Sequence, residues 1–175
     1  MRGVATRERI ERFLEALGRR ATRPVTVYLV GGSSAVLEGW RDATIDIDLK
    51  LVPDAIELLR AIRDLKDELS INVELASPDL FIPVPPGWES RSPAYRRVGK
   101  LDVRHFDFCA QALAKIERGH VRDLADVDAM IERGLVTRRA IAAAFALVEP
   151  ELVRFPGVDA ADFAARIADV VGREA

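Results

Sequence analysis

Between Leu29 and Leu51 the residue types fall in an order suited to chemistry on phosphate. Val25 to Val30 reads as a short apolar strand that runs into Gly31-Gly32-Ser33-Ser34. Thirteen residues after Ser33 a second strand carries Asp46 and Asp48, with one isoleucine between them. Side chains alternate along a strand, so both carboxylates leave from one face and Ile45, Ile47 and Leu49 from the other. Two aligned carboxylates make a hard anionic oxygen site, which Mg²⁺ takes when a polyphosphate supplies the remaining ligands. The turn offers backbone N–H groups, glycines with no Cβ to block close approach, and a serine hydroxyl. A phosphate cradle followed by metal-binding carboxylates points to phosphoryl or nucleotidyl transfer.

A third strand, Ile71-Asn72-Val73-Glu74-Leu75, alternates again and puts Asn72 and Glu74 on a common face. Three carboxylates brought that close repel one another unless a divalent cation compensates them. In a two-metal scheme, ions about 4 Å apart activate the attacking hydroxyl and stabilise the leaving pyrophosphate. Asp46 and Asp48 then hold metal, and Glu74 completes the second site or accepts the hydroxyl proton. The competing reading makes Asp46, Asp48, Lys50, Asn72 and Glu74 the wet face of an ordinary sheet. The Gly-Gly-Ser turn at this distance favours chemistry.

A second cluster lies in Ala112 to Asp126. Lys115, Arg118, Arg122 and Asp126 step by three, four and four, so one continuous helix would align them. If Gly119 breaks that helix, two helix ends must converge instead. Lysine and arginine directed at the carboxylate edge would bind the β- and γ-phosphates. The alternative is a salt-bridged helix surface with Arg122 and Asp126 as an i,i+4 pair. Leu124, Val127 and Ile131 mark the expected buried side. His120, next to Gly119, suits a turn as well as it suits an acid or base. In the proline-rich loop, Trp88 fits a packing role better than base stacking.

The elements that must position these groups read as follows. Thr6 caps a helix to Arg20 with an apolar stripe of Ile10, Phe13, Leu14 and Leu17. The first strand is followed by a short helix over Ser33 to Trp40 and a strand over Thr44 to Val52. Pro53 starts a helix to about Leu69, with Ile56, Leu59, Ile62 and Leu65 on one face. Ser77 to Pro93 is a loop rich in proline. Gly99 to Phe106 is a further strand. Four helices follow, over 107–118, 121–133, 137–148 and 159–171. The fold class is therefore α+β, a mixed sheet with flanking helices and then a C-terminal helical bundle. The expected division is a core over residues 1–106 and a helical region over 107–175.

Length and composition fit one globular domain with a helical appendage. The longest apolar runs are too short to span a bilayer, and the first residues carry no apolar leader core, so a cytoplasmic, membrane-free protein is expected. Cys109 is the only cysteine, which excludes an internal disulfide. A net charge of −2 argues against non-specific nucleic-acid binding. The charge is uneven, since residues 91–122 hold eight basic side chains and three acidic ones. That stretch suits either a groove for triphosphate or RNA, or a solvated basic face.

Gly31-Gly32-Ser33 through Asp46-Ile47-Asp48 resembles the signature of the DNA polymerase β-like nucleotidyltransferase superfamily. Ala114-Lys115-Ile116-Glu117-Arg118 and Arg122-Asp123-Leu124-Ala125-Asp126 resemble the later segments of bacterial AbiEii-type nucleotidyltransferases, some of them toxins of toxin–antitoxin pairs. An uncharacterised branch extends the likeness through Asn72 to Pro78 and the Pro-Gly-Trp loop. The resemblance covers about residues 25–135. It implies a nucleotidyltransferase fold, Mg²⁺ (or Mn²⁺) on Asp46 and Asp48, and an NTP held by Gly31, Gly32 and Ser33. Lys115 is implied near the triphosphate, with Arg118, Arg122 and Asp126 beside it. Glu74 takes the third carboxylate's place by strand logic. The expected reaction moves an NMP to a hydroxyl of RNA, protein or a small molecule, and a toxin would have a cognate antitoxin as partner. The contending class is a non-catalytic nucleotide- or partner-binding module on the same fold.

Overall fold

In the computed structural model, which describes residues 3–173, the chain divides into two compact units. The first runs to Ser77 and resumes over Ser92–Phe106; the second comprises Pro78–Arg91 and everything from Asp107 onward. The proline-rich segment, expected within the first unit, thus packs with the second.

The first unit contains β1 (Ala5–Thr6), α1 (Arg7–Arg20), β2 (Val25–Val30), α2 (Gly32–Glu38), β3 (Ala43–Thr44) and β4 (Asp46–Val52). It continues with α3 (Ile56–Glu68), β5 (Asn72–Leu75), β6 (Ala94–Val98) and β7 (Leu101–His105). Five strands form a mixed sheet in the order β5-β4-β2-β7-β6. The β2–β4 and β6–β7 pairs are antiparallel; β2–β7 and β4–β5 are parallel. The small β1–β3 pair stands apart from that sheet.

Strand alternation sorts the two faces. Val27, Leu29, Ile47, Leu49, Leu51 and Val103 point into a core shared with α1 and α3. On α1, the stripe Ile10, Phe13, Leu14 and Leu17 is fully buried, and Thr6 caps the helix by accepting from the Arg9 N–H. The other sheet face carries Asp46, Asp48 and Lys50, in register with Asn72, Glu74 and Tyr28 respectively. Burial of about a dozen large apolar side chains at roughly 1.5–3 kcal/mol each is what fixes this register.

Several expectations need correction. Ile45 does not join the inward row: it sits between β3 and β4 and is exposed. The helix after Pro53 begins only at Ile56, which is exposed, and its buried face is Leu58, Ala61, Ile62 and Leu65. Leu75, the last residue of β5, is also exposed. The short helix after β2 begins one residue early, at Gly32, and closes at Glu38 because Gly39 adopts the left-handed conformation. Strand β6 was not expected at all.

The second unit contains α4 (Trp88–Arg91), α5 (Phe108–Arg118), α6 (Val121–Glu132), α7 (Arg138–Val148) and α8 (Ala160–Gly172), with 3₁₀ turns over Pro78–Leu80 and Glu149–Arg154. Asp107, Thr137 and Asp159 cap α5, α7 and α8 through side-chain oxygens. Helix α5 packs on α6, α7 and α8, and Phe145 meets Phe163 edge to face at 4.9 Å. Arg91 holds the proline-rich segment here. It donates to the Pro85 and Pro86 carbonyls and to the buried Asp107 carboxylate at 2.7 Å. No described helix is long and apolar enough to cross a membrane.

Candidate active site

Strand β2 ends at Val30, paired with Asp48, and the chain then turns at Gly31 with φ +57° and ψ −120°. A residue with a side chain resists that conformation. A Cβ built on Gly31 would also lie 3.3 Å from the Asp48 carboxylate. The turn's backbone and the Asp48 side chain therefore face one another at close range.

Asp46, Asp48 and Glu74 leave the same sheet face, because Asp48 is in register with Glu74 across the parallel β4–β5 pair and Asp46 is two residues before Asp48. Asp46 and Asp48 are half-buried; Glu74, on an edge strand, is exposed. Among the described residues no three His, Cys, Asp or Glu side chains converge as a ready metal cluster. The donor set at β4 is a carboxylate pair, Asp46 and Asp48, hard oxygen donors of the kind that Mg²⁺ prefers.

Gly32 and Ser33 are placed differently from Gly31. Both are buried, and a Cβ on Gly32 would overlap the Thr44 hydroxyl and lie 2.7 Å from the Thr44 Cβ. Gly32 is small because β3 presses on it. The Ser33 hydroxyl is turned inward, 3.5 Å from the Asp48 carbonyl oxygen to which it donates. Of the turn residues, Gly31 alone is both partly exposed and next to a candidate metal ligand.

The other expected binding residues lie in the second unit. Gly119, at φ +68°, ends α5 and the chain re-enters a helix at Val121, so two helix ends converge in place of one continuous row. Lys115 is buried and donates to Asp123 at 3.0 Å and to Asp126 at 2.6 Å. Arg118 joins at 2.8 Å from Asp123. Arg122 and His120 are exposed. The buried side of α6 is Asp123, Asp126, Val127 and Met130; Leu124 and Ile131 are only half-buried. Asp123 belongs to the Arg122-Asp123-Leu124-Ala125-Asp126 segment but was not among the expected binding residues; it reaches Lys115 because the chain turns back at Gly119.

His105 was also overlooked. It ends β7, is buried, and sits between Ser34 and Glu38 of α2. Only its place at the last residue of a strand could have drawn attention to it.

Residues 7–138 match the family described as nucleotidyltransferase of unknown function (DUF6036). No curated protein and no solved structure matches the chain at a significant level.

Proposed function

The chain belongs to this family of nucleotidyltransferases, and from that premise we propose that it is a Mg²⁺-dependent enzyme that moves an NMP from an NTP to an acceptor hydroxyl. The observation that carries the reading is the Asp48 carboxylate facing the Gly31 turn, with Asp46 and Glu74 on the same sheet face. Bound Mg²⁺ would offset the charge of the triphosphate and of the departing pyrophosphate. Asp46 and Asp48 would hold it. Glu74 would take the proton as the acceptor oxygen bonds to the α-phosphorus and the bond to the β-phosphate oxygen breaks. The acceptor is an RNA, a protein or a small molecule. A toxin acting in this way, restrained by an antitoxin, is a narrower form of the same reading.

One observation favours a second reading, a nucleotide- or partner-binding module without catalysis. Ser33 and Lys115, expected on the triphosphate, already have partners inside their own units. Lys115 is buried with two of its three N–H donors committed to carboxylates, and Arg118 and Arg122 are the more exposed cations.

The test is transfer of label from each α-³²P-NTP, with Mg²⁺ or Mn²⁺, to total RNA and cell extract. Label on an acceptor with the wild type and none with Asp46→Ala/Asp48→Ala supports catalysis. Nucleotide binding with no transfer to any acceptor supports the module.

A further inference from the structure

The polar network around His105 has no part in the scheme above, yet it grips the element next to the turn. The Ser34 hydroxyl donates to the Leu29 carbonyl at 3.1 Å. That hydrogen is committed, so the Ser34 oxygen accepts from the ring, and the Nδ1 of His105, at 3.0 Å, carries a proton. The other ring nitrogen, Nε2, lies 3.0 Å from the Glu38 carboxylate. The contact is electrostatic, since its angles do not make a hydrogen bond and Glu38 is partly exposed, and a proton on Nε2 turns a repulsion between lone pairs into an attraction. Ser34 and Glu38 are four residues apart, one turn of α2, so a single ring spans the helix that follows Gly31.

We propose that His105 is a positioning residue, protonated on both ring nitrogens, which ties Ser34 and Glu38 to the end of β7 and so fixes the Gly31 turn in front of Asp48. Two further features agree. Phe106, the next residue, donates its N–H to the same Leu29 carbonyl at 2.8 Å, which locks the end of β7 against the end of β2. Within the same stretch of α2, the Arg7 guanidinium donates to the Val36 and Leu37 carbonyls. Among the described residues, Tyr95 of β6 also faces the ring, edge-on at 5.6 Å, and its hydroxyl donates to Glu11 of α1. Burial pushes the Tyr95 phenol up, so it is neutral at pH 7. Burial by itself would push the imidazole down to about 4. Among the described residues, the Glu38 carboxylate at 3.0 Å acts the other way.

The chain has two histidines, which makes the test direct. With ¹⁵N-labelled histidine, a long-range ¹H–¹⁵N spectrum at pH 7 should show His105 with two protonated-type nitrogens. Glu38→Gln should leave His105 neutral with the proton on Nδ1. His105→Ala should raise amide exchange over Ser34–Glu38 by about tenfold or more while α7 is unchanged. His105→Gln serves if that variant does not fold. A neutral His105 in the wild type, or α2 exchange unaffected by the substitution, overturns the proposal. The role at the turn rests on the reading of that turn as a phosphate cradle, so Mg²⁺·ATP affinity is measured in parallel. If the wild type binds no nucleotide, the cradle reading fails, while the spectrum and the exchange rates still decide the part played by His105.

Discussion

Alanine at Gly31 and alanine at Gly32 should fail for different reasons. At Gly31 the new side chain must adopt φ +57° and meets the Asp48 carboxylate, so stability should fall by about 1–3 kcal/mol and metal–nucleotide binding should fall with it. At Gly32 the new methyl runs into Thr44, an overpacking cost of about 1–3 kcal/mol. Adding Thr44→Gly should restore much of that loss, and the pair should be clearly non-additive in urea melts. The same restoration should not occur for Gly31→Ala. Cys109 offers a check of a quieter kind. Burial, then the nearby Asp107 charge, push its thiol up, so less of it is thiolate at pH 8 than in an ordinary cysteine. Iodoacetamide should label it slowly in the folded protein and quickly in urea.

At the scale of elements, the Lys115 cluster follows the break that Gly119 suggested, while the ion pairs of Lys115 did not show in the spacing. A run stepping by three and four looks like one helix face, but the αL conformation of Gly119 breaks the helix and folds α6 back, so that Asp123 and Asp126 both meet Lys115. Lys115→Ala removes the cation that bridges buried Asp123 and Asp126 and leaves Asp123 to Arg118. It should cost about 3–5 kcal/mol in the melt of the helical unit. Replacing Asp123 and Asp126 by Asn in the same chain should recover part of it. Long apolar periods were legible: α1 and β2 fall where their patterns place them because buried stripes such as Ile10, Phe13, Leu14 and Leu17 leave no other register. Strand β6 was not legible. Its Tyr95-Arg96-Arg97 run breaks the apolar alternation, and it is held instead by ladder bonds to β7 and by Tyr95 and Arg96 reaching Glu11 and Glu15 of α1. The carboxylate face was legible because a period of two needs no tertiary information. The inward turn of Ser33 and the grip of His105 depend on partners far along the chain, which spacing cannot reveal.

For the whole molecule, chain order and spatial order part company. Residues 78–91 leave the first unit and pack with the second, where Arg91 joins Asp107 and Ile82 is fully buried. A fragment ending at residue 106 therefore loses the partners of that segment. It should bind an apolar dye such as ANS far more strongly than the intact chain, which should bind little. Asp46, Asp48 and the Gly31 turn are proposed to seat a metal-bound triphosphate together. The most direct measurement is free Mn²⁺ by electron paramagnetic resonance, titrated with and without a non-hydrolysable NTP. The wild type should take up Mn²⁺ strongly only when nucleotide is present, and Asp46→Asn/Asp48→Asn should abolish that uptake. Equal nucleotide-dependent uptake by the variant would contradict the account.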